Sequence, residues 1–121
     1  MKYATDVRNR RLQVITDAIG ADGLLKIGTD GMSQLLSVLK LETPAFTSPS
    51  DGQMSLTGKA ILDPRARATG KARSAQITTA SGKVIVDGLT VGKNNADIEI
   101  TADDIQEGQE VRVAAGTIVH A

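Results

Sequence analysis

The chain has 121 residues and no cysteine, so its length suits one domain, and disulfides, thiolate chemistry and cysteine-built zinc sites are excluded. Its 14 basic and 14 acidic side chains cancel, which removes the basic excess of a dedicated nucleic-acid binder and the high net charge of a disordered chain. Apolar residues make up 40% of it but only Tyr3 and Phe46 are aromatic, so the core has to come from Val, Ile, Leu, Met and Ala.

The N-terminal stretch MKYATDVRNRRLQV lacks the apolar centre of a signal peptide, and no apolar run approaches the ~20 residues that span a bilayer. The expectation is a soluble protein made in the cytoplasm, with no membrane partner. From Thr5 to Ile19, Leu12, Ile15 and Ile19 fall three and four apart, and Val7, Val14 and Ala18 widen the stripe. This spacing predicts an amphipathic helix. Thr5 or Asp6 is the expected N-cap, and Gly20 the expected stop. Arg8, Arg10 and Arg11 lie in the first half of the helix, where its dipole does not favour cations. They are either solvated or held for a contact.

Leu24–Thr29 reads as a strand, Asp30-Gly31 as a turn and Gln34–Leu41 as the return strand of a hairpin, although Leu35, Val38 and Leu39 also fit a helix. Glu42–Gly52 holds Pro44 and Pro49, which cannot donate to a ladder, and reads as a surface loop. Pro44, Phe46 and Pro49 are its candidate contact residues. Gln53–Leu62 alternates as a strand with Gly58 as a bulge, and Asp63-Pro64 breaks it.

A series of short strands follows. Ala72–Thr79 and Lys83–Val91 form a hairpin around Ser81-Gly82, with an interruption at Asp87-Gly88. Gly92–Asn95 turns into Ala96–Thr101, where Ile98 and Ile100 point inward and Asp97 and Glu99 outward. Thr101 to Asp104 resembles a capping box and predicts one helical turn over Ala102–Gln106. Glu107-Gly108 then leads into Glu110–Val119, with Val111, Val113, Ala115, Thr117 and Val119 on one face. Turns recurring at roughly 8–12 residues indicate a mainly β fold. The expected architecture is an antiparallel, jelly-roll-like β-sandwich over residues 23–121, preceded by an arm and helix in 1–22, within one domain spanning 1–121.

Catalytic groups are hard to assemble from this composition. The single histidine, His120, is the penultimate residue, where a base lacks the fixed geometry that proton transfer needs. No GxSxG elbow, GxGxxG or P-loop is present, and Gly58-Lys59 and Gly70-Lys71 are each followed by Ala. Asp97, Glu99, Asp103, Asp104, Glu107 and Glu110 do not follow the spacing of a calcium loop. The expectation is a protein that is not an enzyme and takes no metal or cofactor. Charge patterning is more informative. Lys59, Arg65, Arg67, Lys71 and Arg73 form a basic segment, and the run from Asp97 to Glu110 an acidic one. These blocks either face each other within the fold, pair between copies, or remain solvated.

The pattern GKVIVDGLTVGKNNADIEIT followed by DIQEGQEVRVAAGTIVHA resembles a group of short tailed-phage virion proteins. Lys83–Gly88, Val91–Ile100 and Ile105–Val113 carry the likeness, and Asp6–Gly20, Leu24–Thr29 and Pro44-Ala45-Phe46 resemble the front half of the group. The resemblance implies a β-sandwich structural protein of the virion and transfers no active-site residue. The leading expectation is a capsid decoration or cement protein on the outside of the head lattice. Its implied partners are the major capsid protein and other copies of itself, as a homo-oligomer, with no nucleic acid. A tail or neck component and a glycan-binding adhesion module are the alternatives. Arg8, Arg10 and Arg11, the loop residues Pro44, Phe46 and Pro49, the cations Arg65, Arg67, Lys71 and Arg73, and the acids Asp103, Asp104 and Glu107 are the candidate interface.

Overall fold

The computed structural model of the chain describes residues 3–42, 45–56 and 62–119. The helix forms where the spacing placed it, as α1 (Thr5–Ile19), and Gly20 ends it at φ 69° with its N–H on the Thr16 carbonyl oxygen. Its buried side is Leu12, Thr16 and Ile19, with Ile15 packed alongside. Val7, Val14 and Ala18 face away from the core, so the apolar stripe is narrower than expected. The N-cap is Ala4, with no side-chain cap. Thr5 is already the first helical residue, one place too late to cap, and its hydroxyl accepts a hydrogen bond from Arg8 Nη2 at 3.0 Å.

The strands follow in order. They are β1 (Leu24–Gly28), β2 (Leu35–Lys40), β3 (Gln53–Ser55), β4 (Leu62–Asp63) and β5 (Gly70–Lys71), then β6 (Ser74–Thr78), β7 (Val84–Gly92), β8 (Ile98–Ile100), β9 (Asp104–Ile105) and β10 (Val111–Val119). The chain is mainly β with one α-helix among the described residues. The β1–β2 and β6–β7 hairpins form as the turn residues predict. The expected bulge at Gly58 lies outside the described residues.

Eight strands build one curled sheet in the order β2-β1-β6-β7-β8-β10-β3, with β4 also on β10, and β5 and β9 form a separate ribbon. The sheet is mixed, which corrects the purely antiparallel expectation: β7 and β8 run parallel through Val91 opposite Ile98 and Gly92 opposite Glu99. Parallel neighbours usually need a crossover of a dozen or more residues. Here residues 93–97 suffice, with the loop tied to the strands on either side of it. Thr90 N donates to Asp97 Oδ2 at 3.1 Å and Asp97 N to Thr90 Oγ1 at 2.9 Å. Asn95, at φ 56°, donates its N–H to Glu99 Oε2.

Two irregularities decide which side chains reach the core. Opposite Gln76, β7 carries both Asp87 and Gly88, a bulge with Gly88 at φ 71°. Glycine suits that left-handed position because a Cβ is strained there. In β10, Ala114 is the extra residue between the pairs Val113–Ile100 and Ala115–Glu99. Past it the inward set changes parity: Val111, Val113 and then Gly116 are buried, while Ala115 and Val119 are exposed. The single face expected from Val111 to Val119 is therefore broken, since a one-residue slip moves every later side chain across the sheet.

The predicted helical turn at Ala102–Gln106 is instead β9, paired with β5. Ala72 N also donates to the Asp103 carbonyl oxygen at 2.8 Å. The 70–72 segment satisfies the backbone groups that a local helix would have to satisfy itself. One aliphatic cluster fills the interior, with Leu25, Ile27, Leu36, Leu39, Ile77 and Ile98 fully buried and Phe46 its only aromatic. Helix α1 lies against β7 and β3 and closes over this cluster with Leu12 and Ile19.

Candidate interaction surfaces

Helix α1 disperses its three arginines. Arg8 is half-buried and bonds Thr5. Arg10 is exposed, 3.9 Å from Asp6 one turn earlier. The Arg11 guanidinium stacks 4.5 Å above the Tyr3 ring. They do not form one cationic patch.

The proline loop divides similarly. Phe46, expected at the surface, is 2% exposed and belongs to the core. A chain with so few aromatics uses its phenyl ring to fill interior volume, and Phe46 bridges Leu56 across the sheet. Pro49 is half-buried, and Pro44 lies outside the described residues. The loop tip is fastened to the helix, because Gly52 N donates to Asn9 Oδ1 at 2.9 Å. Asn9 carried no sequence signal for this role, since its partner is 43 residues away.

The basic segment is the most regular surface. From Arg65 to Arg73 the chain reads RARATGKAR and alternates strictly. Ala66, Ala68, Gly70 and Ala72 turn inward, and Arg65, Arg67, Thr69, Lys71 and Arg73 turn outward. The small residues let the backbone lie close on the sheet. A Cβ at Gly70 would stand 3.1 Å from both Leu36 Cδ2 and Thr29 Cγ2. Backbone bonds fasten this strap along its length: Arg67 N to the Leu36 oxygen, Ala66 N to that of Gln109, and Arg73 N to that of Gly28. The alternation was visible in the sequence as a strand-period pattern with alanine and glycine in place of large apolar residues.

The fold brings the acidic residues to this strap. Lys71 pairs with Asp104 in the β5–β9 ladder, and Glu107 N donates to Thr69 Oγ1 at 3.0 Å. Yet among the described residues no ion pair within 4 Å joins Arg65, Arg67, Lys71 or Arg73 to Asp103, Asp104 or Glu107. Long exposed charges gain little from being fixed in one geometry. The two blocks are neighbours, with their charged groups left facing solvent.

Asp63 is a further polar centre that sequence reasoning treated only as a chain breaker. Its Oδ2 accepts from Ser37 Oγ at 2.7 Å and from Val38 N at 3.3 Å, and its Oδ1 from Arg65 N at 3.1 Å. These bonds tie β4 to the edge strand β2 and draw the curled sheet almost closed. A hollow of about 170 Å³ lies between β3 and β10, lined by Ser55, Leu56 and residues 113–117, none of them charged. Among the described residues, no group of three His, Cys, Asp or Glu side chains is placed to hold a metal ion. His120 lies outside them. No helix is long and apolar enough to cross a membrane. The chain matches no family model, no curated protein and no solved structure.

Proposed function

We propose that the chain is a structural protein of a bacteriophage virion, acting as a decoration or cement protein on the outside of the head lattice. Its partners in this reading are the major capsid protein and further copies of itself. The observation that carries the reading is the Arg65–Arg73 strap, a segment with four outward cations, seated on small inward residues and bordered by unpaired acids. Such a surface suits contact with a neighbour of alternating charge, and many weak contacts on a repeating lattice add through multivalency. The strand-and-turn likeness over Lys83–Val113 supports the same reading.

Mass spectrometry of purified particles tests it. A copy number in the hundreds is the expected result, and absence from particles overturns it. A low copy number, as in a ring, points to the tail or neck alternative.

A further inference from the structure

The outer side of α1 is a second seam. Val7, Arg11, Val14 and Ala18 recur at steps of four, three and four, and all four are exposed. They lie opposite Leu12, Thr16 and Ile19, which the core has already taken. Val7 and Val14, 37% and 63% exposed, are two of the four large hydrophobic side chains exposed among the described residues. Alternating steps of three and four are the repeat by which one helix packs along another. Arg11 does not interrupt the seam, because its stem carries apolar surface and its guanidinium is held over Tyr3.

We propose that this face pairs with the same face of a second copy, antiparallel, about a two-fold axis. The charges flanking the seam select that occupant and that direction. In the antiparallel register Val7 meets Ala18 of the second copy and Arg11 meets Val14. Arg10 then falls beside Asp17 of the second copy, and the symmetry repeats this ion pair. A parallel pair instead stacks Arg11 on Arg11, so like charges oppose it. Within one copy these groups are weakly engaged. Arg10 and Asp6 are 3.9 Å apart with side chains 82% and 71% exposed, and Asp17 accepts from the Gln13 amide at 3.0 Å. Both are free to exchange partners on association. The pairing concerns the chain alone and stands or falls separately from the particle reading.

Sedimentation equilibrium of the full chain, from about 10 μM to 1 mM, tests the pairing, since one helix pair is smaller than a standard interface and gives a reversible dimer. The expected result is a monomer–dimer equilibrium that Val14→Asp abolishes, with circular dichroism unchanged. Arg10→Asp and Asp17→Arg each weaken the dimer by about tenfold or more, and the double exchange R10D/D17R restores it to within about threefold. The charge exchange gives its own answer even if Val14→Asp disturbs folding. A monomer at 1 mM, an oligomer indifferent to these changes, or a double variant no better than the singles overturns the proposal.

Discussion

The Asp63 carboxylate joins β4 to β2 and to its own following residues. One carboxylate accepts three hydrogen bonds, and one donor is the hydroxyl of Ser37, a fully buried residue. Removing the acceptor strands that hydroxyl and loosens the Val38 N–H at the sheet edge. Asp63→Ala is expected to cost about 1–3 kcal/mol, the penalty for a buried group left unsatisfied, read from the urea midpoint. Faster hydrogen exchange at the Val38 amide locates the loss at the β2–β4 seam. A variant as stable as the parent rules out this role. None of this was legible in Asp63-Pro64, because the partners lie 25 and 26 residues away and contribute an ordinary serine and a backbone amide. Phe46 makes the complementary case. Its loop context suggested exposure, but the interior needed its volume.

At the scale of elements, α1 is one helix with two apolar sides that differ sharply in burial. Leu12→Ala is expected to lower stability by about 2–5 kcal/mol, since it opens a cavity at a fully buried position. Val14→Ser should change the stability of the isolated chain by no more than about 0.5 kcal/mol. Chemical denaturation of the two variants, below the concentration at which copies associate, compares them directly. A large cost at Val14 would falsify the assignment of that side to the outside. Among the strands, hydrophobic alternation and turn residues made the β1–β2 and β6–β7 hairpins legible, because both signals are local. The segment at 101–106 was misread for the same reason. Its capping-box pattern is local, whereas its pairing with Gly70–Lys71 is not. In β10, the bulge at Ala114 reverses the inward face, and Gly116 two residues later is the local mark it leaves in the sequence.

For the whole molecule, zero formal charge conceals an uneven surface, with the Arg65–Arg73 strap running beside Asp103, Asp104 and Glu107. If this surface seats the chain on a particle, the attachment is screened by salt. Raising ionic strength from about 0.05 to 0.5 M should then release bound protein, as the Debye length shrinks well below 10 Å. Lys71→Glu with Arg73→Glu should weaken cosedimentation with particles about tenfold or more while leaving the fold intact, because both side chains are exposed. Attachment indifferent to both changes would exclude the strap as the contact. Composition and local periodicity were enough to show a mainly β chain with one N-terminal helix over Thr5–Ile19, an aliphatic core and two blocks of opposite charge. Each of these follows from composition or from periodicity within a few residues. The parallel run of β7 and β8, the closing of the curled sheet by Asp63, the interior place of Phe46, and the strap lying beside Asp103, Asp104 and Glu107 without pairing came from the folded chain alone. Those outcomes depend on groups distant in the chain satisfying one another's backbone bonds and filling one another's space, which no local pattern encodes.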